Sequence, residues 1–264
     1  MEITAPEFVI GGAERLLRVS AVSLTPESAE LREESGAWLA DPAVGVSRAA
    51  LGVILDDVTG YVVAAGSPND RWPVSLGIRL DLLADPPIDG SPLTATGRLI
   101  ARDEVSGTTR GEVAGPDGAV LALITQRSHL LTVSEAPTTP YIDAPVPGPE
   151  VSLREALALR EVEPGVVELP ANPYAANGMG NIHGGILITG MEFAAMSVLR
   201  ATGELRTTSI DTVFVRPADA AHPTTFRTAV QHRGRSMAVV EVAALAASGK
   251  PCALATVIVQ QRRD

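Results

Sequence analysis

Two stretches of the chain are apolar at almost every position, and each is followed by four strand-like segments. Ala49 to Ala65 carries only Asp56 and Asp57 as charges, and Ile186 to Leu199 carries only Glu192. Runs of this length favour buried helices over strands. After the first, strands are predicted at Val74–Leu83, Leu93–Arg102, Thr108–Val113 and Ala119–Leu131. After the second, they are predicted at about Thr207–Val215, Thr224–His232, Met237–Ala246 and Cys252–Gln261. Asp117-Gly118 supplies a hairpin turn in the first set, and Arg233-Gly234 and Ser248-Gly249 do so in the second. A short helix at Ser152–Arg160 and a strand at Val166–Leu169 precede the second apolar run.

One apolar helix and four strands, twice over, is an internal duplication with a period of about 135 residues, too long for a solenoid repeat. A helix apolar on nearly every side must be covered on several faces. A curved antiparallel sheet wrapped around it does this, so the expected fold class is α+β with two copies of one domain. The boundary falls where Pro137, Pro140, Pro145, Pro147 and Pro149 cluster, because dense proline removes donors and favours extended chain. The predicted division is a domain over 1–133, a linker over 134–150 and a second domain over 151–264.

Composition narrows the function. The chain has 264 residues, with 45% apolar and 20% charged, enough for a sizeable core, and a net charge of −10. That acidity argues against a nucleic-acid partner. The single cysteine, Cys252, excludes an internal disulfide and any cysteine-based zinc site. His129, His183, His222 and His232 form no H-x-H or H-x-x-x-H pair, so no metal is expected. The N-terminus lacks the basic flank and apolar stretch of a signal peptide, and no uncharged apolar run is long enough to span a membrane. A cytoplasmic location is the expectation.

The sharpest local signal is Asn177-Gly178-Met179-Gly180-Asn181-Ile182-His183-Gly184-Gly185, running straight into the second apolar helix. The first N–H groups of a helix have no intrahelical acceptors, and glycines there let a ligand approach bare backbone. Such a place can bind a phosphate or hold a carbonyl oxygen as it gains charge. It can equally be a turn into a core helix, with His183 bonded locally. A dinucleotide fingerprint is disfavoured because His183 stands at the third glycine position. Glu192, alone in its apolar run, is costly unless paired, hydrogen-bonded or protonated. Asp56 repeats the puzzle in the first half.

Asn177, then His183-Gly184-Gly185, then Glu192 nine residues past the histidine resemble the hotdog-fold thioesterases of the phenylacetate-pathway type. The resemblance covers about Val166–Gln260. It implies that the Gly184 N–H polarises a thioester carbonyl, with Asn177 and His183 shaping the site and Gly185 and Ser209 beside the substrate. It implies that the acid at position 192 acts as base or nucleophile, although that family usually carries Asp there. Set against this pattern, the first half is a worn copy. Asp41 falls at the place of Asn177, Ser47 at His183, Arg48 at Gly184 and Ala49 at Gly185, with Asp56 at Glu192. Ser75 falls two residues from register with Ser209.

Two such copies resemble tandem double-hotdog thioesterases, and helix geometry explains why they would pair. His183 and Glu192 are nine residues apart, ~13 Å along a helix, too far to flank one carbonyl carbon. Antiparallel helices would bring each start to the other's carboxylate. The second half's glycines would then face Asp56, aided by Ser75, and Glu192 would face Ser47 and Arg48, pairing with the arginine.

One composite site hydrolysing an acyl-CoA thioester, with no cofactor, is therefore expected. Arg233 and Arg235 either hold coenzyme A phosphates or form an ordinary charged turn. Asp57 is the alternative acid if the register is off by one. The rival is a non-catalytic acyl-CoA-binding or scaffold protein that kept the fold. A hydratase of the same fold fits less well, since His183 has no acid five residues before it. A homo-oligomer is expected by resemblance alone.

Overall fold

The computed structural model describes residues 6–262. Residues 1–5, on which the absence of a leader pattern partly rests, and 263–264 lie outside the described residues. The first part of the chain runs α1 (Gly12–Leu16), β1 (Ser20–Leu24), β2 (Ser28–Glu34) and a small hairpin of β3 (Ala40–Asp41) and β4 (Gly45–Val46). It continues through α2 (Gly52–Ala65), entered by a 3-10 turn, and then β5 (Arg71–Leu82), β6 (Pro92–Arg102), β7 (Ser106–Ala114) and β8 (Val120–Thr132). The second part runs α3 (Leu153–Ala156), β9 (Arg160–Glu163), β10 (Val166–Leu169) and α4 (Gly184–Leu199). Strands β11 (Leu205–Phe214), β12 (Thr224–Arg233), β13 (Met237–Ala246) and β14 (Pro251–Gln261) complete it.

Twelve of these strands form one antiparallel sheet in the order β1-β2-β6-β7-β8-β5-β11-β14-β13-β12-β10-β9. The order is palindromic about the β5–β11 junction, where Arg79 pairs with Asp211, Leu80 with Ile210 and Ile78 with Thr212. The two segments are thus related by a local twofold, and the sheet is continuous across it. Helices α2 and α4 are buried along nearly their whole length, as their all-round apolarity requires. They pack on each other at their starts. A Cβ built on Gly185 would collide with the backbone of Gly52 and Val53, so this close crossing depends on glycine.

Some expectations need correction. The helix expected over Ser152–Arg160 is only α3, capped by a Ser152/Glu155 box. Ala158 takes φ 53°, in the left-handed region, and turns the chain into β9. Strands β1 and β2 and helix α1 carried no usable signal: β1 is exposed, and β2 points a charged residue, Glu33, into the core. The proline-rich segment has no regular structure but is tied down. Thr139 Oγ1 accepts from the Ile10 N–H at 3.1 Å, and the Tyr174 hydroxyl donates to the Pro145 carbonyl.

Candidate active site

The hairpins that lead into α2 and α4 are built alike. Ala40 pairs with Val46 before α2, and Ala176 bridges Ile182 before α4. In each, a side-chain oxygen holds the loop: Asp41 accepts from the Ala43 and Val44 N–H groups, and Asn177 from those of Met179 and Asn181. Asn177 therefore shapes the loop through its oxygen. Asp41 also takes Arg154 in a two-pronged ion pair, at 2.6 and 3.2 Å.

At the start of α4, His183 is the N-cap. Its Nδ1 accepts the Gly185 N–H at 3.0 Å, and its carbonyl accepts from Ile186 and Leu187. Gly185, expected beside the substrate, thus has its N–H in use and packs against α2. The Gly184 N–H has no hydrogen-bond acceptor among the described residues. Directly against Gly184 stands Asp56, one turn into α2: a Cβ added to Gly184 would collide with its Oδ2. The other oxygen, Oδ1, accepts from Ser75 Oγ and from Gln126 Nε2, both at 2.7 Å. Gln126 Nε2 also donates to Ser75 Oγ at 2.6 Å, while Thr59 donates to Gln126 Oε1. With both ends of the amide specified, its orientation is fixed. Asp56 Oδ2 is therefore the carboxylate atom turned toward the bare helix start, 3.7 Å from His183 Nδ1.

Sequence reasoning missed Gln126, although a signal existed. On β8 the inward positions read Ala122, Ile124, Gln126, Ser128 and Leu130, so strict alternation places an amide in the core. It also missed Glu14. His183 Nε2 lies 3.1 Å from Asp57 Oδ1 and 3.6 Å from Glu14 Oε1, all three side chains being buried. Burial, reinforced by the neighbouring Asp57 charge, pushes Glu14 up to about 8. Burial likewise raises Asp57, against the pull of His183. For His183, burial opposes charging while Asp57, Glu14 and Asp56 favour it, and its affinity for a proton rises. A second ring proton would have to sit on Nδ1, the atom that accepts from Gly185. The extra proton of the cluster therefore belongs on a carboxyl, Glu14.

Glu192 lies at the other helix start. Ser47 Oγ donates to its Oε2 at 2.6 Å and the Ala49 N–H donates at 3.3 Å. Burial raises its pKa, opposed by these donors. The expected Glu192–Arg48 pair is not formed. Arg48 Nε meets Asp85 at 2.5 Å, and Nη1 donates to the Leu82 and Thr207 carbonyls. Arg48 thus turns away from Glu192, whose Oε2 takes the Ala49 N–H instead.

Ser209 pairs in the ladder with Asp81 and Ile258 and does not reach the cavity. Arg233 and Arg235 also lie outside it, and Arg233 donates to the Leu199 carbonyl at the end of α4.

A cavity of about 490 Å³ opens on Asp56, Ser75, Gln126, His183 and Gly184, within the size range of ligand pockets. Its walls come from both segments and include Tyr61, Trp72, Leu131, Leu187 and Phe214, with Pro137 from the connector. Tyr61 packs against Phe8 with the rings tilted, centroids 4.9 Å apart, and meets Trp72 edge-on at 5.9 Å, so several of the chain's few aromatic rings gather here.

A curved antiparallel sheet wrapped around a helix, with a carboxylate set against a glycine helix start, has the form of a hotdog fold. Residues 173–260 match the family described as acyl-CoA thioesterase N-terminal domain. Comparison with curated protein sequences finds no match. Solved structures share the fold over most of their length. The tesB protein of Mycobacterium avium subsp. paratuberculosis is 11% identical, with 94% of this chain and 97% of that one covered at TM-score 0.65. Acyl-CoA thioesterase II of Mycobacterium marinum is 12% identical, with 96% and 97% covered at TM-score 0.60. The 12:0-ACP thioesterase of Umbellularia californica is 12% identical, with 89% and 94% covered at TM-score 0.60.

Proposed function

We propose that the protein hydrolyses an acyl-CoA thioester at one site assembled between two tandem hotdog halves, 1–133 and 151–264. The observation that carries this reading is Asp56 of α2 seated against Gly184 of α4. The thioester carbonyl would accept from the Gly184 N–H, which together with the positive end of the α4 dipole stabilises the oxygen as it gains charge. Asp56 Oδ2 takes a proton from a water molecule as that water attacks the carbonyl carbon. Collapse of the tetrahedral intermediate breaks the C–S bond, and the departing thiolate takes the proton back from Asp56, which returns to the carboxylate. Ser75 and Gln126 keep the carboxylate facing the reacting carbon.

The same geometry permits direct attack by Asp56, giving a mixed anhydride that water then opens. Hydrolysis in oxygen-18 water under single-turnover conditions tests the general base. Label in the Asp56 carboxylate would overturn it, whereas label only in the product acid is the outcome of the general base and also of an anhydride opened at its acyl carbon.

The Asn177 loop with His183-Gly184-Gly185 supports an oxyanion site of the phenylacetate type, but the acid that meets it comes from the other half. The apolar, aromatic-rich cavity suits the acyl group. A homo-oligomer is part of the reading, supported by Val213 and Leu254, which face each other across neighbouring strands at 52% and 45% exposure. So is a cytoplasmic location; among the described residues no helix is long and apolar enough to cross a membrane. Thiol release from short, medium, long and aromatic acyl-CoAs tests the function. Tight binding of these esters without thiol release would favour the non-catalytic binder.

A further inference from the structure

The Glu14–Asp57–His183 cluster stands at the helix start on the wall of the same cavity, and no step of the hydrolysis scheme uses Glu14 or Asp57. Its geometry constrains a proton. His183 Nδ1 accepts the Gly185 N–H at 3.0 Å and so carries no hydrogen. In a neutral imidazole the proton then sits on Nε2, which faces Asp57 Oδ1 at 3.1 Å. The opposite tautomer would set two N–H groups head to head at Gly185 and push the ring out of its capping position. The carboxylate and the cap therefore select the same tautomer from opposite sides of one ring.

We propose that Asp57 is a positioning residue: by accepting the Nε2 proton of His183, it keeps Nδ1 bare to hold the Gly185 N–H. That fixes the first turn of α4 and leaves the Gly184 N–H aimed at the thioester carbonyl. Glu14 Oε1 stands 3.6 Å from Nε2, beyond hydrogen-bond distance, and leaves Asp57 as the acceptor of the ring proton. The inference rests on the thioester reading of the site.

The three donors also lie within 4.8 Å of one another, and Asp57 Oδ2 and Glu14 Oε2 are buried without partners, so a divalent cation is the competing occupant. The ring disfavours it. A cation on Nε2 would move the proton of a neutral imidazole to Nδ1, against the Gly185 N–H.

Nitrogen-15 NMR of the histidine-labelled protein reads the tautomer directly and needs no substrate, with His183→Asn serving for assignment. The expected result is protonated Nε2 and bare Nδ1 at His183. Asp57→Leu removes the acceptor, whereas Asp57→Asn keeps one oxygen to take the Nε2 proton. Asp57→Leu should lower kcat at least about tenfold with KM changed by less than about threefold, because the loss falls on the transition state. Asp57→Asn should stay within about threefold of wild type and keep the tautomer. A wild-type ring protonated on Nδ1, or a folded Asp57→Leu enzyme with unchanged kcat, overturns the proposal. So does a stoichiometric cation whose removal by a chelator abolishes turnover. If wild type releases thiol from no acyl-CoA, the thioester reading fails first. If it does release thiol and the tautomer is wrong, only this inference fails.

Discussion

Ser75 and Thr207 occupy the same β-bulge in the two central strands, yet only Ser75 donates to the acid set against Gly184, Asp56. The register of β5 against β8 shifts just after Ser75, and that of β11 against β14 shifts just after Thr207. Carrying this correspondence one strand further sets Gln126 on β8 opposite Val257 on β14. The first half thus keeps acid, hydroxyl and amide but not the glycines. The second keeps the histidine and glycines of the helix start, with Glu192 and Thr207 still in place, and has Val257 where the amide would stand.

Gln126 is expected to matter as much as Ser75. Gln126→Leu removes the donor shared by Asp56 Oδ1 and Ser75 Oγ, letting the carboxylate swing. Misplacement of a reacting group by an ångström can cost ~10²-fold, and that loss in kcat is the expected outcome. Steady-state kinetics with the preferred acyl-CoA checks it; an unchanged kcat would remove Gln126 from the site.

The two glycines should fail differently. Gly184→Ala puts a methyl group into Asp56 Oδ2 and should abolish turnover in a protein that still folds. Gly185→Ala drives a methyl group into the α2 backbone, and overpacking of this kind costs ~1–3 kcal/mol, so a lowered melting temperature is expected. Paired melting and rate measurements separate the effects.

The pH dependence of stability should carry the signature of Glu14. Its pKa is about 8 in the fold against 4.5 when unperturbed, so between these values the folded state holds a proton that the unfolded state has released. This contribution is complete below pH 4.5 and is lost as pH rises toward 8, by up to about 1.4 kcal/mol per pH unit for one proton. Glu14→Gln, a neutral mimic, should flatten that fall. Denaturant melts of both proteins at pH 6 and 9 test it, and parallel losses would count against a protonated Glu14.

Much of the architecture could be read from the chain because apolar runs and alternation report burial directly. The spans of β10 and β13 fall where the pattern puts them, and the α2 and α4 runs need only their first turns adjusted. The first fifty residues were opaque for a physical reason. An exposed strand such as β1 does not alternate, and β2 hides a glutamate where the pattern needs an apolar side chain. At the site, helix length alone argued that His183 and Glu192 cannot share a substrate, which pointed across the twofold to Asp56. The partners of that acid were harder. Gln126 is an ordinary amide unless its strand is read for phase, and Glu14 comes near His183 only through the docking of α1 beside Pro173–Ala175. Arg48 misled because its long side chain reaches Asp85 rather than the nearest buried acid.

Thiol release by Asp56→Asn and Glu192→Gln, measured side by side, tests the composite site most directly. A neutral amide at position 56 can neither take a proton nor attack, and loss of a positioned base costs typically 10²–10⁴-fold. Glu192 is buried at the far helix start with Ser47 and Ala49, and its amide should turn over substrate at close to the wild-type rate. The account predicts a dead Asp56→Asn enzyme and an active Glu192→Gln enzyme. The reverse pattern, with Glu192→Gln dead and Asp56→Asn active, would contradict it.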